Sequence, residues 1–115
     1  MDCIFCKIIK GEMPADKVYE DKHIIAFNDL HPRAPIHQLI MPKKHIATLN
    51  DLTEDDTELV GALIQTARRL AEKAGIATSG YRSIFNCNAD GGQEVYHLHL
   101  HLLGGRPLHW LPEKK

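Results

Sequence analysis

Three histidines, at positions 97, 99 and 101, alternate with leucines at 98, 100 and 102. A period of two is the mark of a β-strand with one buried face. It predicts a strand over residues 95–103, imidazoles on one side and leucines on the other. Imidazoles two residues apart stand about 7 Å apart at their roots, so their tips are expected to converge on one small group. A helix would scatter them around its circumference. Asn, Asp and Gly in N-A-D-G-G place a turn just before this strand, and Gly104-Gly105 breaks it.

The rest of the chain supplies partners for that strand. With 115 residues, 43% of them hydrophobic, it suits a single domain spanning residues 1–115 with one core. Residues 3–10 (C-I-F-C-K-I-I-K) space Ile4, Phe5, Ile8 and Ile9 for a short helix ended by Gly11. Residues 18–20, 23–29, 36–41 and 81–86 read as strands, the third stopped by Pro42. Thr53-Glu54-Asp55-Asp56 resembles a capping box with an aspartate in the acidic position. Beyond it Leu59, Leu63, Ala67, Leu70 and Ala74 form one stripe up to Gly75, predicting a helix of about 20 residues. Strands in runs around one long helix give an α+β fold: an antiparallel sheet, one long helix and one short N-terminal helix.

The net charge of −1 gives no electrostatic case for nucleic acid or an anionic membrane as partner. No apolar run nears the roughly 20 residues of a membrane span. The opening Met-Asp-Cys lacks the regions of a secretory signal, so a cytoplasmic location is expected. Three cysteines argue against a disulfide framework. C-x-x-C at Cys3 and Cys6 is compatible with metal, redox chemistry or neither. No strand precedes Cys3, as the redox arrangement would need. Cys87 reads as a small buried residue, and His23 and His31 as surface residues.

Imidazoles beside a Gly-rich turn suit chemistry at phosphorus. Backbone N–H groups of such a turn form a concave anion site, and glycine permits close approach. An imidazole titrates near neutrality and serves as nucleophile, base or acid. His99, flanked on both sides, is best placed to attack. The rival is a three-histidine zinc site activating water, although alternate positions on one strand make a cramped ligand set.

G-G-Q-E-V-Y-H-L-H-L-H-L-L resembles the signature of the histidine-triad (HIT) family. The resemblance extends to C-I-F-C-K-I-I-K-G-E, A-F-N-D-L-H-P-R-A-P-I-H, M-P-K-K-H and G-G-R-P-L-H-W, and is closest to the Hint branch of purine nucleoside phosphoramidases and nucleotide-binding proteins. It implies a HIT fold in a homodimer, acting on purine nucleoside 5′-phosphoramidates through a nucleotidyl-histidine. No catalytic cofactor is implied. His99 matches the nucleophile, His101 the residue at the α-phosphate and leaving group, and His97 and His37 those that orient the nucleophile. Asp29 matches the ribose-binding carboxylate. Asn86, Gly92 and the backbone of Gln93, Glu94 and Val95 match the phosphate-side contacts. Phe5, Ile8, Phe27, Leu30 and Leu39 align with the purine walls, though by pattern alone they are plain core. Glu94 departs from the Ser or Thr frequent in the branch, and a carboxylate there would repel phosphate unless it points away or is protonated.

In a subset of the family, residues matching Cys3, Cys6, His45 and His97 bind a structural zinc; two thiolates and two imidazoles make a closed tetrahedral set. The tail over 106–115, with His109 and Trp110, matches one that reaches toward the partner's active site. The alternatives to the phosphoramidase are a non-catalytic nucleotide-binding regulatory module and a dinucleoside polyphosphate hydrolase.

Overall fold

Five antiparallel strands form one sheet in the order β1-β2-β3-β5-β4, in a computed structural model that describes residues 3–110. The strands are β1 (Lys17–Glu20), β2 (Ile24–Asn28), β3 (Ile36–Pro42), β4 (Tyr81–Phe85) and β5 (Leu100–Gly104). Helices α1 (Ile4–Ile9) and α2 (Thr57–Lys73) accompany them. This is the expected α+β architecture.

Alternation along the strands sorts the residues onto two faces. Ile24, Ala26, Ile40, Leu98, Leu100 and Leu102 pack with Leu63, Ala67, Leu70 and Ala71 of α2 into the main core. Ile25, Phe27, Leu39 and Met41 point the other way and pack with Cys3 and Phe5 beneath α1. The histidines share the parity of this second face, so the leucine–histidine alternation assigns one side of the chain to the core and the other to the site.

α2 is preceded by a 3-10 turn, Glu54–Asp56. Thr53 Oγ1 accepts from Asp55 N, and Asp56 Oδ2 accepts from Thr53 N at 3.0 Å. The aspartate capping box therefore starts the 3-10 turn, and the α-helix proper is 17 residues, shorter than the pattern suggested. Pro42 does not stop β3 but closes it, opposite Ile24. Toward β5 the ladder ends at Ile40↔Leu100, so the missing N–H of Pro42 removes no bond there.

The triad strand is the larger correction. β5 starts at Leu100, not near Val95, and only His101 of the three histidines lies within it. The chain bends at residues 95–97, and Leu98 N donates to Ile46 O at 2.6 Å in place of a ladder. At the other end Gly105 has φ +97°, and a Cβ there would lie 2.8 Å from Pro35 Cβ. Only glycine fits that backbone and that gap. Among the described residues no helix is long and apolar enough to cross a membrane.

Candidate active site

Register places the first histidine pair. His37 stands opposite Leu103 and Leu39 opposite His101, so His37 and His101 are diagonal neighbours on one face. Their rings meet: His37 Nε2 lies 2.9 Å from His101 Nδ1. Arg33 N donates to His37 Nδ1 at 3.1 Å, which makes that nitrogen the acceptor and puts the ring proton on Nε2. His37 therefore donates to His101 Nδ1, and neutral His101 carries its proton on Nε2. Asp29 Oδ2 lies 3.4 Å from His37 Nε2, while Asp29 Oδ1 accepts from His31 N at 2.8 Å.

His99 is oriented by the backbone. Its Nδ1–H donates to the carbonyl of His97 at 2.6 Å, leaving the lone pair on Nε2. Phe5 stands edge-on to the ring, centroids 5.1 Å apart. His99 thus presents a free lone pair and neighbouring His101 an N–H. Their ring centroids lie 4.8 Å apart.

The three triad imidazoles do not converge on one group. His97, fully buried, turns away: its Nε2–H donates to Pro42 O at 2.7 Å. Its Nδ1 lone pair faces Cys3 Sγ at 3.4 Å, Cys6 Sγ at 3.6 Å and His45 Nδ1 at 3.2 Å. The bend at residues 95–97 makes this rotation. A three-histidine zinc site at the triad is incompatible with it, because His97 faces another cluster.

That cluster, Cys3, Cys6, His45 and His97, matches a metal's demands. A tetrahedral zinc with bonds of about 2.3 Å to sulfur and 2.0–2.1 Å to nitrogen sets its donors apart by about 3.6 Å (S to N) and 3.3 Å (N to N). The S-to-N separations are 3.4, 3.3 and 3.6 Å, and the N-to-N separation is 3.2 Å. Cys3 is the N-cap of α1, and its sulfur accepts from Cys6 N at 3.3 Å. Burial, then the Cys3 thiol beside it, pushes the Cys6 thiol up, so holding Cys6 as a thiolate here takes a cation.

Between the clusters opens a pocket with an apolar wall of Phe5, Ile8, Phe27, Leu30 and Leu39. Asp29, Asn86, Gly92, Glu94, Val95, His99 and His101 complete it. Gln93 does not line it. Its side chain turns inward, donating to Ala47 O at 2.8 Å and Val95 O at 3.1 Å while accepting from Asn88 N at 2.8 Å. Asn86 Nδ2 donates to Gly91 O at 2.7 Å. The glycine turn is therefore held from both ends.

Ile4, His31 and Arg33 also line the pocket, although the sequence pattern assigned Ile4 only a place in the short helix, His31 a place at the surface and Arg33 no role. The Asp29-Leu30-His31-Pro32-Arg33 run held the one signal: two polar groups close behind the candidate ribose carboxylate. Cys87 is half-buried. Trp110 is 86% exposed, and the tail beyond it lies outside the described residues. A roomier groove beside Lys22, Lys43 and Lys44 offers less chemistry, because Lys43 already pairs with Glu20 and Lys44 with Asp56.

Burial holds His37, His97 and His99 below the ordinary imidazole range. It pushes His101 down to about 4, assisted by His99 and His37. A depressed folded pKa means that protonation lags as the pH falls, so the neutral tautomers derived above persist. Turnover is expected to stay level from about pH 8 to about pH 6.5 and to fall only at lower pH. An initial-rate profile that rises as the pH drops through 6.5 would contradict this.

Comparison with known proteins gives concordant results. The family described as "Scavenger mRNA decapping enzyme C-term binding" matches residues 2–109. The chain is 51% identical to the purine nucleoside phosphoramidase of Escherichia coli K12 over 107 residues, 93% of this chain and 90% of that protein. The crystal structure of a HIT family hydrolase from Legionella pneumophila superposes with a TM-score of 0.95 at 56% identity, covering 97% of this chain and 100% of that one. A histidine triad protein from Clostridium difficile superposes with a TM-score of 0.91 at 47% identity, covering 100% and 97%.

Proposed function

The chain belongs to the histidine-triad (HIT) family, and from that premise we propose that it hydrolyses purine nucleoside 5′-phosphoramidates to a nucleoside monophosphate and an amine. The observation that carries this reading is the tautomer of His99. With Nδ1–H committed to the His97 carbonyl, Nε2 points a lone pair into the pocket. A protein that only bound nucleotide would need no nucleophile there. The similarity to a named purine nucleoside phosphoramidase supports the same substrate class.

The base lies against Phe5, Ile8, Phe27 and Leu39, and the ribose hydroxyls bond Asp29. The phosphate sits over the Gly92 turn. His99 Nε2 attacks phosphorus as the P–N bond breaks; the amine leaves with the bonding pair and takes up a proton from water. The positive charge on the His99 ring is spread into the His97 carbonyl. His101 Nε2–H bonds the phosphate or the departing nitrogen and stabilises the charge that develops there. Water then adds to phosphorus and releases a proton, and Nε2 leaves with its electron pair, restoring neutral His99. His37 keeps His101 in the donating tautomer.

Zinc suits the Cys3–Cys6–His45–His97 set, where it would pin α1 to the sheet; it supplies structure and no step of the reaction. The reading includes a cytoplasmic homodimer, which sedimentation at one chain mass of 13.0 kDa would contradict. The test of function is turnover of adenosine 5′-phosphoramidate with a chelator present during the assay. Release of AMP at an undiminished initial rate is expected. Loss of activity on chelation faster than any loss of fold would move the chemistry to a metal.

A further inference from the structure

Two opposite charges span the open rim of the pocket. Arg33 Nη2 and Glu94 Oε2 lie 3.7 Å apart, their side chains 68% and 77% exposed. Both line the pocket that holds His99 and His101. Their backbones are fixed although their ends are exposed. Arg33 N donates to His37 Nδ1, and Arg33 O accepts from Arg106 Nη2 at 3.0 Å. Glu94 lies between Gln93, whose amide is buried and doubly bonded, and Val95, whose carbonyl accepts from that amide.

An ion pair this exposed is weak, because water screens it and two long side chains must be ordered to form it. A bound anion displaces the carboxylate from Arg33 at little cost. Phosphate at His99 and His101 offers Arg33 a better acceptor, since guanidinium and phosphate oxygens match in geometry. Glu94 then loses its partner beside the same pocket. With the apolar wall occupied by the base, the leaving group is directed to this rim.

Resting on the phosphoramidase reading, we propose that Arg33 and Glu94 set leaving-group specificity: Arg33 takes the phosphate, and Glu94 selects amines that carry a second, positively charged group. The ordinary amine substituent of this enzyme is then an alkylammonium rather than a neutral or acidic one. Water at this exposed rim screens the Glu94 carboxylate from the phosphate.

The test uses three adenosine 5′-phosphoramidates whose leaving amines have equal length and end in ammonium, hydroxyl or carboxylate. The unsubstituted phosphoramidate serves as reference. The wild type is expected to prefer ammonium over carboxylate by about tenfold in kcat/KM, the scale of one exposed pairing gained and one repulsion avoided. The ratio should shrink in high salt. Glu94→Gln flattens the series and Glu94→Lys inverts it, while Arg33→Gln weakens all three substrates. Equal rates for the three in the wild type, or an order unchanged in Glu94→Gln and Glu94→Lys, would overturn the assignment while leaving the phosphoramidase intact. No turnover of the unsubstituted reference would overturn both.

Discussion

Replacing His99 with alanine is expected to lower kcat/KM for adenosine 5′-phosphoramidate by on the order of 10⁴- to 10⁶-fold, which is about 5 to 8 kcal/mol of transition-state stabilisation. The size follows from its role as the attacking atom. Among the described residues, His99 Nε2 is the one imidazole nitrogen in the pocket that has a lone pair free for phosphorus and a hydrogen-bonded ring behind it. His101 cannot take over, because its Nδ1 accepts from His37 and its Nε2 is protonated. Affinity for AMP, measured calorimetrically, should change only several-fold, since the apolar wall and Asp29 remain. His99→Gly leaves a ring-sized gap beside Phe5, so added imidazole should restore part of its activity. A His99→Ala enzyme retaining a tenth of wild-type activity would rule out the nucleophile assignment.

Removing a candidate metal ligand comes next in expected effect, on stability first and on catalysis through it. Cys6→Ser should abolish stoichiometric zinc binding and lower the melting temperature by roughly 10 °C, because a metal that binds only the folded chain adds its binding free energy to folding. The four candidate ligands would tie α1 to the segment after β3 and to the bend before β5: Cys3 and Cys6 on one side, His45 and His97 on the other. Phe5, in that helix, stands edge-on to both His97 and His99. Loosening α1 therefore frees one wall of the pocket and the carbonyl that sets the tautomer of His99. The expected signature is a raised KM with a smaller fall in kcat, alongside the thermal shift. Elemental analysis showing no zinc in the wild type after metal-supplemented expression would contradict the account of this cluster.

The alternation at residues 97–102 identified which residues face the core and which the site, because burial of Leu98, Leu100 and Leu102 depends only on parity. It did not locate the start of β5. Strand length is decided by which neighbours can supply a ladder, and the ladders to β5 end at Ile40↔Leu100 from β3 and at Phe85↔Leu100 from β4. Nor did it foretell the turn of His97, a local bend rewarded by contacts 94 residues away, at Cys3. The capping box and the helical stripe were legible because both are short-range patterns, though the box opened a 3-10 turn before the helix. His37 entered through family resemblance alone; its diagonal contact with His101 depends on register, which no single segment carries. Arg33 and His31 lay in a Pro-flanked loop without periodicity, and their nearness in sequence to Asp29 was the one local feature that set them apart from solvated surface.

Attack by His99 requires that phosphorus become covalently attached to its ring. Intact-mass spectrometry of enzyme mixed with substrate and quenched in alkali within the first turnover tests it directly. A mass increase of one nucleotidyl group is expected, mapped by peptide fragmentation to His99 and absent from His99→Ala. Product formed in that turnover without any adduct, or an adduct on His101 or His37, would contradict it.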